Sequence, residues 1–295
     1  MINRAGVAWL LLGLIWGTNF VFIKWSTEAV TPMQVALVRV IAGFLTVATY
    51  ALITKQLKFS HLRHSMHFIV MACLAAALYF YGFAEGTALL ESGLAGAVSA
   101  SIPLFSLLAA VLFLPEEKLS TNRVLGLLVG LVGVTLIAKP FSNALGDSYL
   151  LGVLWMMLGS FSLGVSFVYA RKFVTPLELP PAALTTYQLG FAALILLVTT
   201  DRTGIATLRD NPSSLAVLVL GLGFLGTGLA YVLYYYVIAK LGAVRASALT
   251  YVPPVVALFL GALFLGETIV LLDYFATGLI FVGVLLVNKR AKLRS

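Results

Sequence analysis

Long apolar runs, separated by short segments that contain charged residues, Pro or Gly, follow one another along the whole chain. Each run has roughly the 20 residues that a helix needs to cross a hydrocarbon core about 30 Å thick. Because hydrocarbon supplies no water to backbone N–H and C=O groups, such runs must be helical. The pattern predicts ten spans, at residues 6–25, 32–54, 66–88, 92–115, 122–139, 148–171, 181–200, 213–239, 243–266 and 270–288.

Composition excludes a water-soluble protein. Of the 295 residues, 61% are hydrophobic and 10% are charged, and the mean hydropathy is +1.04. A soluble domain of this size needs far more charge to cover its surface. The connections between the spans are also too short to hold a soluble domain. The predicted fold class is therefore an all-α polytopic membrane protein with ten transmembrane helices.

The basic residues indicate how the spans are oriented. With the N-terminus in the cytoplasm, most of the 19 Lys and Arg residues lie in inside segments, whereas the outside loops hold Lys24, Lys139, Arg202 and Arg209. Such a bias follows the positive-inside rule, so both termini are predicted to be cytoplasmic. Contact with anionic headgroups then explains the net charge of +8, and we expect no nucleic-acid partner.

The two halves of the chain resemble each other helix by helix. Residues 6–13 read GVAWLLLG, and residues 152–159 read GVLWMMLG. Further matches at an offset of 151 include Pro103 with Pro254 and Glu116 with Glu267. Each of these two acids ends a span just before the next one begins. We interpret both as structural groups that accept from unpaired N–H groups at a helix start.

This similarity predicts two repeats of five helices, at residues 1–141 and 148–295. Because five is an odd number, the second repeat must enter the membrane from the opposite side to the first. Inverted repeats of this kind form a central site that can open alternately to either face of the membrane. The repeat therefore favours a transporter over a membrane receptor or a membrane enzyme, neither of which needs two-sided symmetry.

The sequence also resembles a known family, the drug/metabolite transporter superfamily in its EamA-type, ten-helix form. The segments that carry the resemblance are 14–20 (LIWGTNF), Arg39, 103–116, 126–133 and 254–267. The resemblance implies a carrier of metabolites in the bacterial inner membrane, very often an exporter. Within the superfamily, the general character of the chain is similar to that of the YddG-like amino-acid exporters.

Spans 4 and 9 place small and polar residues on one helical face, with a proline in each. Ser99 and Pro103 lie in span 4, and Thr250 and Pro254 lie in span 9. A proline within a span frees a backbone carbonyl and kinks the helix. We predict that Ser99 and Thr250 line a cavity and that the prolines act as hinges. The alternative is a static kink with the hydroxyls bonded back to the backbone.

Spans 3 and 8 supply aromatic side chains. Tyr79 and Phe83 lie in span 3, whereas Thr227, Tyr231 and Tyr234 share one face of span 8. Tyrosine combines an apolar ring with a polar hydroxyl, so such a cluster can hold an apolar chain and bond to a polar group. The alternative is an aromatic belt at the membrane interface.

Four further residues complete the predicted site. Trp16 and Asn19 share a face of span 1, and Ser166 lies on the corresponding surface of span 6. Asn19 is costly in hydrocarbon, so it should face the protein interior. Arg39, deep in span 2, either receives a substrate carboxylate or forms a structural pair with Glu85.

Taken together, the sequence predicts a transporter, not an enzyme, that exports small metabolites by alternating access. Amino acids with aromatic or apolar side chains are the favoured substrates, and amphipathic drugs or cations are the alternative. No Asp or Glu lies at the centre of a span, which favours facilitation or exchange over proton coupling. We expect no metal and no cofactor. The predicted partners are the small-molecule substrate and the lipid bilayer, and a monomer is favoured.

Overall fold

The computed structural model describes residues 4–114, 120–138, 146–241, 249 and 252–288, and these residues form ten helical spans. The spans are α1 Arg4–Thr27, α2 Pro32–Ile53, α3 Phe59–Leu89, α4 Ser92–Phe113, α5 Thr121–Ala138, α6 Ser148–Leu177, α7 Pro181–Thr199, α8 Pro212–Leu241, α9 Val252–Leu265 and α10 Leu271–Asn288. All but α5, α9 and α10 are long and apolar enough to cross a membrane by length and composition alone. The all-α polytopic fold is thereby confirmed.

Two spans extend beyond their predicted limits through segments of another helix type. The α-helical part of α3 begins at Ser65, one residue before the predicted start, and a 3₁₀ segment, Phe59–His64, precedes it. α6 runs past the predicted end through a π-helical turn, Ala170–Val174. Both segments contain basic residues, so the length of the apolar runs did not include them.

The two repeats run in opposite directions, which glycine contacts between α5 and α10 show directly. A Cβ on Gly133 would lie 2.7 Å from the Ala276 oxygen, and one on Gly283 would lie 2.6 Å from the Gly126 oxygen. Residue numbers therefore rise along α5 while those of its neighbours on α10 fall. α5 and its repeat counterpart α10 are antiparallel, as inverted repeats require.

The helix contacts follow the repeat: a contact between two helices recurs between their counterparts, the helices five places away in chain order. α3 packs on α6 as α8 packs on α1, and α4 packs on α6 as α9 packs on α1. In the same way, α2 packs on α8 and α7 packs on α3. Three further large contacts join a helix to its own counterpart, namely α2 to α7, α4 to α9 and α5 to α10. This is the packing expected of two equivalent units around a shared pseudo-two-fold axis.

Besides α6, three spans contain a segment that departs from the α-helical pattern. α3 is π-helical over Cys73–Ala77. α4 breaks at Ala100 and Ser101, where a turn precedes the segment that contains Pro103. α8 is π-helical over Val217–Leu229. The α-helical pattern is thus interrupted just before Pro103, whereas Pro254 lies in the first turn of α9 as described. A hinge at either proline stays a prediction.

Candidate substrate site

The centre of the molecule holds a buried cation. Arg39 on α2 is 4% exposed. Its Nε donates to Thr227 Oγ1 at 2.9 Å and its Nη2 donates to the Gly226 oxygen at 3.4 Å. The guanidinium also lies 4.2 Å from the centre of the Phe80 ring. Arg39 thus joins the first repeat to the π-helical part of α8 in the second.

Asn19 on α1 is the third polar member of this group. With its amide oriented to satisfy both ends, its oxygen accepts from Arg39 Nη2 at 3.0 Å and its nitrogen donates to the Ile15 oxygen at 3.3 Å. Burial of an amide in hydrocarbon is tolerated only when such partners exist. We call Asn19, Arg39, Gly226 and Thr227 the central polar cluster.

The π-helix explains why α8 can approach α1 and α2 so closely. Thr227 Oγ1 donates to the Leu222 oxygen five residues earlier at 2.9 Å. A side chain at Gly226 would meet Asn19, and one at Gly223 would meet Ala42 of α2. Glycine is needed at both positions for close backbone approach, and π-helical turns are frequent at functional sites.

A cavity of about 520 Å³ lies between α1, α2, α7 and α8. Its lining includes Tyr50, Gln56, Pro181, Tyr231, Tyr235 and Tyr236. Most of these residues lie at the end of the molecule that carries the α2–α3 and α6–α7 loops, here called the Lys55 end. Tyr231 is the lining residue that also lies near Arg39, and Tyr79 on α3 lies near Arg39 as well.

Aromatic rings form the surroundings of the cluster on the side of α3. The Tyr79 ring lies 4.7 Å from Phe80 and 4.6 Å from Phe83, centre to centre. Phe83 in turn lies 6.0 Å from Phe20 of α1. Contacts at these spacings are favourable beyond the area that they bury.

The opposite end of the molecule carries the α1–α2 and α7–α8 loops and is here called the Glu28 end. Polar contacts between the repeats hold this end together. Glu267 accepts from the Ser92 backbone N–H at 2.6 Å, from Ser92 Oγ at 2.9 Å and from the Gly93 N–H at 3.1 Å. Gln34 Nε2 donates to the carbonyl oxygens of the α7–α8 loop at Asp201, 2.8 Å, and Thr203, 2.9 Å.

Glu267 therefore caps a helix, as predicted for it, but the helix belongs to the other repeat. It satisfies the start of α4 and not that of α10, which follows it in the chain. Its partner in the sequence repeat, Glu116, lies outside the described residues.

The structure brings several predicted site residues together. Asn19, Arg39 and Thr227 are in direct contact, with Tyr79 and Tyr231 beside them. Trp16 and Tyr234 pair nearby with their ring centres 5.7 Å apart. Their contact with a substrate stays a prediction.

Other predicted residues are placed differently. Ser99 Oγ donates to the Gly96 oxygen at 2.6 Å, and Ser166 Oγ donates to the Leu163 oxygen at 2.7 Å. Both hydroxyls thus bond back to their own helix, the alternative that the proline pattern left open for Ser99. Thr250 lies outside the described residues.

Arg39 and Glu85 do not form the pair considered from the sequence. The guanidinium turns towards α8, whereas Glu85 interacts with the hydroxyl of Tyr81, one turn earlier on α3. The Thr227 hydroxyl and the Gly226 carbonyl oxygen, both of the second repeat, bond to Arg39, and no carboxylate of the described residues does.

Sequence reasoning missed part of the cavity wall. Tyr235 lines the cavity, and its hydroxyl shares a 3.0 Å hydrogen bond with Thr185 of α7. Its position four residues after Tyr231 was the available signal, since residues at that spacing share a helix face. Proximity to the helix end instead favoured an interfacial belt.

Ten helices in two antiparallel repeats, with a cavity between helices of both repeats and a buried polar cluster, define a polytopic membrane protein of the transporter class. The EamA-like transporter family matches the chain twice, at residues 4–139 and 150–289. The chain belongs to this family, and it is a multi-pass membrane transporter.

Relatives over nearly the whole length agree. The uncharacterized transporter YdfC of Bacillus subtilis (strain 168) is 28% identical over 290 residues, which cover 96% of this chain and 92% of YdfC. The uncharacterized inner membrane transporter YedA of Escherichia coli (strain K12) is 28% identical, with 94% and 88% covered. A crystal structure with 24% identity has a TM-score of 0.62 and covers 100% of this chain and 99% of its own, which shows the same fold.

Proposed function

We propose that the protein exports small metabolites, foremost amino acids with aromatic or apolar side chains, across a bacterial inner membrane by alternating access. The observation that carries this proposal is the difference between the two ends. A cavity reaches inward from the Lys55 end, while bonds between the repeats tie the Glu28 end together. Two inverted repeats can exchange their conformations, so that the open end closes and the closed end opens.

Charge supports a cytoplasmic Lys55 end. The loops and helix ends there carry Lys55, Lys58, Arg63, Arg171 and Lys172. Positive residues concentrate on the cytoplasmic side of bacterial membrane proteins. In this orientation the cavity would take substrate from the cytoplasm, as an exporter requires, and both termini would be cytoplasmic.

The position of the acids favours facilitation or exchange over proton coupling. Among the acids in or next to the spans, Glu85 and Asp273 lie towards the Glu28 end, and Asp147 directly precedes the sixth span. A proton-coupled carrier usually places a titrating acid near the middle of the membrane. None of the described carboxylates has that position.

Counterflow in proteoliposomes tests this proposal. Vesicles preloaded with unlabelled tryptophan, leucine or phenylalanine should accumulate the labelled form of the same amino acid, and empty vesicles should not. An imposed pH gradient should leave the initial rate unchanged. Uptake of labelled tryptamine in place of all three amino acids would instead favour a carrier of amphipathic cations.

A further inference from the structure

Arg39 is a permanent cation in the middle of a membrane protein, and it has no carboxylate partner among the described residues. Its contacts are a hydroxyl, carbonyl oxygens and an aromatic ring. Guanidinium stays charged at any physiological pH. Cations at this depth are costly and are normally matched by an anion or used in function.

The Arg39 guanidinium keeps one nitrogen to which the described residues are not bonded. Nε and Nη2 are bonded to the protein, whereas no bond from Nη1 occurs within the described part of the chain. Phe80 covers one face of the guanidinium. A ligand must therefore approach along the edge of the group, which is the approach that a carboxylate uses.

Tyr231 links the cavity to Arg39. It lines the cavity, and it lies near Arg39, one turn of α8 after the Thr227 that accepts from the guanidinium. On α2 the lining residue Val47 follows Arg39 by eight positions, about 12 Å along the helix. A ligand that enters from the Lys55 end must therefore pass Tyr231 to reach Arg39.

We infer that Arg39 binds the carboxylate of the transported substrate, an inference that rests on the proposed function and narrows its substrate class. The carbonyl oxygens of Gly226 and Asn19 lie on the same guanidinium. Each has a second lone pair that can accept from an ammonium group. The central polar cluster thus suits an amino acid, with both charges at one carbon, and repels an organic cation.

Three related probes separate the charges of such a ligand. Tryptophan carries both, indole-3-propionate carries only the carboxylate, and tryptamine carries only the ammonium. Binding to the purified chain in detergent is measured by competition with labelled tryptophan. The wild type should bind tryptophan and indole-3-propionate about 10- to 100-fold more tightly than tryptamine, the range expected for a bidentate, charge-assisted contact.

Two substitutions test the role of Arg39 itself. Arg39→Gln should remove the preference for both carboxylates over tryptamine. Arg39→Lys keeps the charge but loses the planar fork, so it should weaken the binding of both carboxylates about tenfold, and it serves if Arg39→Gln fails to fold. Lys24→Gln is the matched control, because Lys24 bonds carbonyl oxygens at the Glu28 end, away from the cavity. This control should bind all three probes as the wild type does.

The outcomes separate this inference from the proposed function. The assignment of Arg39 would be overturned if folded Arg39→Gln or Arg39→Lys protein bound both carboxylates like the wild type. Amino-acid counterflow by the wild type would still support the proposed function in that case. Conversely, wild-type binding of indole-3-propionate that needs Arg39, without any amino-acid counterflow, would keep the carboxylate site and refute amino-acid export.

Discussion

Glu267 gives a test of how the Glu28 end is held closed. Its carboxylate accepts three hydrogen bonds at 2.6, 2.9 and 3.1 Å from Ser92 and Gly93, at the start of a helix in the other repeat. A hydrogen bond to a charged group contributes about 1.5–3 kcal/mol, and a negative charge at a helix N-terminus adds to it.

Glu267→Gln should weaken this contact by about 2–4 kcal/mol. The amide keeps one acceptor oxygen, but its NH₂ group faces a backbone N–H that it cannot accept from. Because 1.4 kcal/mol corresponds to a factor of ten, the ratio of forms open and closed at the Glu28 end should rise about 30-fold or more.

Pulsed EPR distances between spin labels measure that change. Labels at Glu28→Cys and Asp210→Cys, one in each repeat and both exposed, report on the Glu28 end in a Cys73→Ala background. Glu267→Gln should add a population with longer distances. Glu178→Gln, at an exposed acid of the Lys55 end, should not. A distance distribution that is the same in wild type and Glu267→Gln would refute the idea that this contact closes the Glu28 end.

Two further predictions concern packing and the cavity. Gly283→Val should lower the melting temperature in detergent, because the α5 backbone lies 2.6 Å from a Cβ at this position and overpacking costs about 1–3 kcal/mol. Gly278→Ala is the control and should not lower it, since no atom lies within 4 Å of its Cβ. Equal melting temperatures for the two variants would contradict the tight α5–α10 contact. Tyr235→Phe should raise the half-saturating substrate concentration in the counterflow assay severalfold, because it removes the hydrogen bond between Tyr235 and Thr185 at the cavity wall. Tyr187→Phe should match the wild type in the same assay, because the Tyr187 hydroxyl donates to the Lys58 oxygen outside the cavity lining.

The ten spans could be predicted from sequence because membrane thickness fixes the length of an apolar run. The same physics fixes the direction of the repeats, since an odd number of spans reverses the second copy. Gly13 and Gly17, four residues apart on α1, pack against Val252 and Val256 of α9, as small residues at close helix contacts do. The spans and their direction could be predicted because the membrane limits what the apolar runs of the sequence can form.

The partners of Arg39 could not be predicted in this way. Thr227 is 188 positions away in the chain, and helix periodicity says nothing about which distant face a side chain meets. The π-helix of α8 shifts the register of its faces and brings Gly226 to the guanidinium. A pairing with Glu85 appeared reasonable from the sequence only because both residues are charged.

The opposite insertion of the two repeats can be measured most directly by labelling equivalent positions. Lys55 follows α2, and Asp201 follows its counterpart α7; Glu28 follows α1, and Glu178 follows its counterpart α6. Single cysteines at these four positions, in a Cys73→Ala background, are treated with a membrane-impermeant maleimide in cells whose inner membrane is intact.

We predict that Glu28→Cys and Asp201→Cys react in these cells, and that Lys55→Cys and Glu178→Cys react only after the inner membrane is permeabilised. Equivalent positions would then lie on opposite faces of the membrane. Reaction of Lys55→Cys together with Asp201→Cys, or of Glu28→Cys together with Glu178→Cys, in intact cells would place equivalent positions on one face and contradict the inverted repeat.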